Sequence, residues 1–207
     1  MSEDRQNNEE TVEAAYSLRA ADYTALFGSI EAAQPADRKF VAGWAASLDG
    51  PVLDAGCGPG HWTKYLADQG LEVEGIDLVP AFISHAKAQF PELAFRVASA
   101  RDIGVADESL GGILAWYSLI HLAPDDVPGV LAEMARCVRP GGSLLAGFFE
   151  SAGIEEFPHQ VTPAWSWPVQ EVTRLLEAAG FIAVAVETRT DPGHRPHAAI
   201  IARRGVP

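Results

Sequence analysis

The segment Val52-Leu53-Asp54-Ala55-Gly56-Cys57-Gly58-Pro59-Gly60 constrains the fold more than any other stretch of the chain. Residues 52–55 read as a short buried strand, and 60–69 as a helix stopped by Gly70. A strand that passes through a glycine loop into a helix is half of a βαβ unit, which demands a parallel sheet with helices packed on it. Glycines let the backbone turn tightly and let a ligand approach, since no Cβ stands in the way. Their spacing narrows the ligand. A dinucleotide fingerprint places glycines at offsets 0, 2 and 5, and offset 5 from Gly56 is His61. The Gly-Lys-Ser/Thr of a phosphate-cradling loop does not occur. What stands here is acid-x-Gly-x-Gly-x-Gly, with Asp54 just ahead of the glycines. A carboxylate there repels a pyrophosphate and suits a cationic ligand. Taken alone, the loop also admits a plain βα turn with no ligand.

The alternation continues along the chain. Strands are expected at 71–76, 93–97, 111–116 and 143–149, and helices at 80–89, 125–138 and from Pro168 to Gly180. Arg139-Pro140-Gly141-Gly142 reads as a turn. Two final strands, 181–188 and 198–203, are joined by a segment too short and polar for a crossover helix, so they should run antiparallel. Ahead of the loop, 2–10 reads as a frayed lead-in, apolar residues recur at helical spacing from Thr11 to Phe27, and 37–48 reads as a helix with Asp37 as its N-cap. The stretch 150–167 shows no regular pattern, and a loop of that length in a compact domain usually binds something.

At 207 residues the chain has the length of one large domain, and 48% hydrophobic against 21% charged residues supply a proper core. The net charge of −13 repels phosphate backbones, so no nucleic-acid partner is expected. Two cysteines cannot form a disulfide framework, no apolar run reaches a membrane span, and the acidic N-terminus is unlike a signal peptide. The expectation is a cytoplasmic protein, monomer or homodimer, without a membrane partner.

Asp54-Ala55-Gly56-Cys57-Gly58-Pro59-Gly60 resembles the first motif of the class I S-adenosylmethionine-dependent methyltransferases. Four more landmarks follow in order. Val73-Glu74-Gly75-Ile76-Asp77 is similar to the family's second strand, whose terminal acid holds the ribose hydroxyls; Asp77 lies 21 residues past Gly56, near the usual separation for such an acid. Ala100-Arg101-Asp102 resembles the third-strand loop, where an acid meets the adenine amino group. Residues 110–122, ending in Trp116-Tyr117-Ser118-Leu119-Ile120-His121, resemble the fourth strand and active-site segment, and 131–149 the helix–turn–fifth-strand unit. The resemblance covers about residues 40–205, and within the superfamily it points to small stand-alone enzymes of the ubiquinone-biosynthesis kind.

It implies an α/β fold: a doubly wound, Rossmann-like sheet of seven strands, mostly parallel with an antiparallel last strand, plus a helical N-terminal extension. It further implies one methyltransferase domain, with 1–36 as an extension or lid and 37–207 as the cofactor-binding core carrying a substrate-side insertion at about 150–167. The implied activity is transfer of the sulfonium methyl of S-adenosyl-L-methionine to a nucleophilic atom of a small-molecule acceptor, with S-adenosyl-L-homocysteine as product. The implied cofactor residues are Asp54, Gly56, Cys57, Gly58, Gly60 and Trp62 at the loop, Asp77 and Leu78, Ala100, Arg101 and Asp102, and Trp116, Tyr117 and Ser118.

His121 lies one turn past the fourth strand, where ligands of such sheets bind, and suits a general base; with an ordinary imidazole the rate would fall below about pH 6.5. A helix-capping or half-buried histidine is the bland alternative. Tyr16 and Tyr23, seven apart and so on one helix face, either close over the cofactor or are ordinary core aromatics. Phe149, His159, Trp165 and Trp167 suit an apolar or planar acceptor, unless the two tryptophans merely seal the sheet edge. His194-Arg195-Pro196-His197 is a dense cationic run that either holds an anionic group of the substrate, with His197 as a contact, or is a solvated hairpin turn, the favoured reading. No metal is expected: His194-x-x-His197 has no cysteine near it, and Phe148-Phe149-Glu150 stands where catechol-type relatives carry Asp-Asn. The Pro-Cys of cytosine-C5 enzymes and the Asn/Asp-Pro-Pro-Tyr of base or amide N-methylation are absent too. The rivals are a cofactor-binding partner protein without transferase activity and an enzyme of this fold acting on RNA or protein.

Overall fold

The structure, a computed structural model, describes the backbone of residues 3–206 and the side chains of residues 8–206. The helix α1 (Glu3–Phe27) is followed by a short 3₁₀ turn (Ile30–Ala32) and α2 (Pro35–Ala45). Then come β1 (Val52–Ala55), α3 (His61–Asp68), β2 (Val73–Asp77), α4 (Pro80–Gln89), β3 (Ala94–Val97) and β4 (Leu110–Trp116). The second half holds α5 (Val127–Cys137), β5 (Val138–Glu150), β6 (Glu155–Phe157), β7 (Ala164–Trp167), α6 (Val169–Ala178), β8 (Phe181–Arg189) and β9 (His197–Arg204).

Among the described residues nine strands form one sheet, two more than expected. Its frame runs β3-β2-β1-β4-β5-β9-β8, with β9 antiparallel to both β5 and β8. The extra pair is a small antiparallel hairpin, β6 and β7, inside the stretch expected to be irregular; β7 joins the sheet through Phe149 and Glu150 of β5. Three- and four-residue strands leave too short a period to be read from sequence. The strands alternate faces. Leu53, Ile113 and Leu144 pack with α5 and α6, while Val52, Leu114 and Leu145 pack with Trp44 of α2 and Leu66 of α3. Both faces are covered, as parallel strands require.

Three boundaries differ from expectation. Helix α1 begins at Glu3 and absorbs the supposed frayed lead-in from there on (Ser2 lies outside the described residues), and the Glu9 carboxylate accepts a hydrogen bond from Ser99 Oγ at 2.6 Å. In α2 the N-cap is Gln34, because Pro35 takes the first helical position; Asp37 is buried within the first turn and pairs with Arg189 at 2.7 Å. Arg139–Gly142 is a bulge within β5, where the register steps from Leu110–Val138 to Gly112–Ser143.

Candidate active site

β1, β2 and β4 lie side by side in parallel, so their carboxyl ends open onto one crevice. The β1 loop turns through three left-handed glycines: Gly56 at φ +86°, Gly58 at +52° and Gly60 at +91°. Each has its own reason. A Cβ on Gly56 would lie 2.2 Å from Ser118 Cβ, and one on Gly60 within 3.0 Å of Ala86 and Phe95, so these two let the loop nest against the segment after β4 and against α4 and β3. A Cβ on Gly58 would meet nothing within 4 Å, because that face of the loop looks into open space. The Gly58 N–H donates to Asp77 Oδ2 at 2.9 Å, and the Val79 N–H to Oδ1 at 2.8 Å. Burial pushes the Asp77 carboxyl up against these backbone donors, which pull it down. Each carboxylate oxygen keeps a further lone pair for a ligand hydroxyl.

Two cavities meet at this loop. The inner one encloses about 820 Å³ of empty space, partly open to solvent, and is walled by Gly56, Gly58, Asp77, Leu78, Ala100, Arg101, Ser118 and His121 among others. The outer, more open one, about 1640 Å³, is reached past Cys57, Trp62, Phe149 and His159. Tyr16, Tyr23, Gly56, Gly58, Trp116 and Tyr117 belong to both walls. Of the expected cofactor residues, Gly56, Gly58, Asp77, Leu78, Ala100, Arg101, Trp116, Tyr117 and Ser118 are brought together around the inner cavity.

Other expected residues stand elsewhere. Asp54 is wholly buried behind the loop, accepting from Thr63 Oγ1 at 2.7 Å, and burial raises its carboxyl to about 7; it braces the loop and faces no ligand. Gly60 lies against Ala86 and Phe95, off both walls. Asp102 is exposed, since the turn that pairs Ser99 with Asp102 swings its side chain outward. The acid in that corner is Glu9 of α1, which lines the inner cavity, accepts from Ser99 and pairs with Arg101 at 2.9 Å; Arg101 also pairs with Asp126 at 2.9 Å. Glu9 sat in the segment read as a lead-in, and nothing local to it signals the role.

The histidines and tryptophans of the second half divide. Phe149 and His159 line the outer cavity. Trp167 is buried in the core, and Trp165 is half-buried against the same cluster, so the tryptophans seal the sheet edge. His197 is buried behind Tyr117, bonded to its hydroxyl through Nδ1, with Nε2 3.9 Å from Asp37. It holds Tyr117, whose φ of +56° is unusual for a side chain of that size. His194 and Arg195 line the outer cavity, so the run 194–197 is not simply a solvated turn.

Two of the three expected catalytic residues, Tyr16 and His121, form one chain of hydrogen bonds. Tyr16 Oη lies 2.8 Å from His121 Nε2, and His121 Nδ1 lies 2.9 Å from the Pro163 carbonyl oxygen. A carbonyl only accepts, so Nδ1 carries the proton and Nε2 accepts from the tyrosine hydroxyl. Burial lowers the His121 pKa to about 4, well below the ordinary histidine value, and raises the Tyr16 phenol. Tyr23 stacks edge-on to Tyr16 with ring centres 5.5 Å apart, its phenol pushed up to about 12 by burial.

The site suits S-adenosylmethionine on its own observations. An acid with free lone pairs faces the cavity beside a glycine whose missing Cβ leaves room for a ligand. Buried Ser118 Oγ and His61 Nδ1 have no hydrogen-bond partner among the described residues, and both belong to cavity-lining residues. Rings shared between the cavities suit a cationic sulfur.

Comparison with known proteins agrees. Residues 52–142 match the model of a methyltransferase domain family. A malonyl-[acyl-carrier protein] O-methyltransferase of Pseudescherichia vulneris is 34% identical over 132 residues, 64% of this chain and 49% of that protein. The chain thus spans about half the length of the curated relative. The Burkholderia thailandensis 1,6-didemethyltoxoflavin-N1-methyltransferase, solved with 1,6-didemethyltoxoflavin and S-adenosylhomocysteine, superposes with a TM-score of 0.73 at 23% identity, covering 94% of this chain and 90% of that one. The [4+2]-cyclase SpnF superposes at 0.78 with 17% identity, covering 95% and 97%. Residues 52–142 thus match a methyltransferase domain family, and the chain as a whole shares the fold of a solved methyltransferase that binds S-adenosylhomocysteine.

Proposed function

We propose that the chain transfers the sulfonium methyl of S-adenosylmethionine to a nucleophilic atom of a small-molecule acceptor, with residues 1–36 as a lid over a core of 37–207. The observation that carries this reading is the pair of adjoining cavities sharing one wall at Tyr16, Tyr23, Gly56, Gly58, Trp116 and Tyr117. One cavity suits an adenosyl group and the other is open to an acceptor. When bound, the cofactor supplies an electrophilic methyl. Asp77 would hold the ribose hydroxyls, the Gly58 backbone would leave room for the methionyl part, and Glu9 with Arg101 would close the adenine corner. Tyr16, Tyr23, Trp116 and Tyr117 crowd water from the shared wall and hold the acceptor at near-attack distance, from which most of the rate comes. An acceptor hydroxyl donates to Tyr16 Oη while the phenolic proton moves to His121 Nε2. The Pro163 carbonyl keeps the imidazole in the tautomer that receives it.

Calorimetry with S-adenosylhomocysteine tests the core of the reading. Binding is expected in the micromolar range. Asp77→Ala weakens it by at least tenfold, since each lost charge-assisted bond is worth roughly 1.5–3 kcal/mol. Binding of NAD instead, or undiminished affinity in Asp77→Ala, would sink it. A second reading, a cofactor-binding protein that transfers no methyl, is favoured by one observation: His121 Nε2 already accepts from Tyr16, and its pKa of about 4 makes it a weak base. Cofactor affinity without S-adenosylhomocysteine formation on any acceptor would select it.

A further inference from the structure

We infer that the outer cavity takes a rigid aromatic acceptor bearing a carboxylate, held by Arg195 at the end remote from the transferred methyl. The inference rests on the methyltransferase reading above and adds the chemical class of the acceptor. Arg195 Cζ lies 3.9 Å over the Phe157 ring, so the cation is laid along the cavity wall even though it is exposed. Among the described residues it has no carboxylate partner. The acid in the same lining, Asp37, is buried and neutralised by Arg189 at 2.7 Å. In a chain of net charge −13, a guanidinium without a carboxylate partner in a concave wall is placed to attract an anion. His159, also in this wall, has a buried Nδ1 without a hydrogen-bond partner among the described residues, a second polar group waiting on a ligand.

The wall between the shared rings and Arg195 is aromatic. Tyr117 contacts Phe149 with ring centres 4.8 Å apart, and Phe149 contacts Phe157 at 5.3 Å. Aromatic side chains therefore run from the methyl-transfer wall to the cation, with Tyr117 and Phe149 tilted by 57° and Phe149 meeting the buried Phe157 edge-on at 90°. A rigid aromatic ligand meets such inclined rings in tilted or edge-to-face contact and loses no internal freedom on binding. The planar guanidinium matches a carboxylate at its far end.

The probe is 6-hydroxy-2-naphthoate, which places a hydroxyl and a carboxylate at opposite ends of two fused rings, compared with 6-hydroxy-2-naphthamide. Each is titrated by calorimetry into protein saturated with S-adenosylhomocysteine. The naphthoate is expected to bind at least tenfold more tightly than the amide. Arg195→Gln abolishes that preference and Arg195→Lys, which keeps the charge, retains it; S-adenosylhomocysteine affinity is unchanged in both. Equal affinity for the two probes, no binding of either, or a preference that survives in Arg195→Gln overturns the inference while the methyltransferase reading stands. Failure of S-adenosylhomocysteine itself to bind overturns both.

Discussion

His121 shows how burial alters a residue whose sequence position is unremarkable. An exposed imidazole at the end of β4 would titrate near 6.5, but desolvation lowers this one to about 4. For an acceptor that must lose a proton, kcat/KM should stay flat as pH falls through 6.5 and decline only toward pH 4. A decline centred near 6.5 would show that another group is the base. His121→Ala should cost roughly 10²–10⁴ in kcat with little change in cofactor affinity, since proton transfer acts in the transition state. Tyr16→Phe should match it if the proton passes through the phenol. Gly58→Val tests the loop: its methyls would enter the open cavity, so cofactor binding is lost while circular dichroism stays native. Asp54 gives a stability test. Its folded pKa of about 7 exceeds the unfolded 3.8, so the folded state keeps a proton between those values, and that stability is lost as pH rises through 7. Relative to wild type without cofactor, Asp54→Asn should gain about 2–3 kcal/mol in denaturant unfolding between pH 5 and pH 8. No gain would mean the carboxylate is ionised throughout.

At the scale of the element, α1 is the least anchored helix. None of its described side chains is fully buried, Tyr16 and Tyr23 being half-buried, and Leu18 and Leu26 are openly exposed. It is held by Glu9 on Ser99 and Arg101, by Tyr16 on His121, by Arg19 on the Gln160 carbonyl, and by tyrosine contacts with Phe82. These contacts are few and none lies in the hydrophobic core, so α1 should open locally without unfolding the sheet. Hydrogen exchange should find its amides far less protected than those of β4, with S-adenosylhomocysteine slowing them. Glu9→Ala should remove most of that added protection and cost global stability little. Equal protection of α1 and β4 in the free protein would show that it is no lid. The β6–β7 hairpin, by contrast, is tied into the sheet; it carries Phe157 and flanks His159 and Pro163, whose carbonyl sets the His121 tautomer.

For the whole molecule, the doubly covered sheet is the rigid part and the ligand-binding crevice its least stable rim. A ligand that binds the native state alone stabilises it by mass action. S-adenosylhomocysteine at 100 times its dissociation constant should add about 2.7 kcal/mol, which for a chain of this size is roughly 5–10 °C in Tm. NAD at the same concentration should move Tm by less than about 1 °C.

What the sequence determined by itself was whatever depends on neighbours along the chain. The alternation of strand and helix, the glycine loop, Asp77 about twenty residues on and the antiparallel closing strand are local patterns, and local patterns set the topology. Tertiary structure decided everything that depends on which distant side chain arrives. Glu9 reached the corner assigned to Asp102 because α1 crosses the ends of β3 and β4, a contact 90 residues apart in the chain. Asp54 turned inward because Thr63, nine residues on, offers it a hydroxyl in the core. His197 became a support for Tyr117, and Arg195 a cavity wall, because β9 pairs with β5 through His197 opposite Phe149. Spacing along a strand or helix carries a side chain's direction, but its partner, its burial and therefore its charge state exist only once the sheet has closed around it.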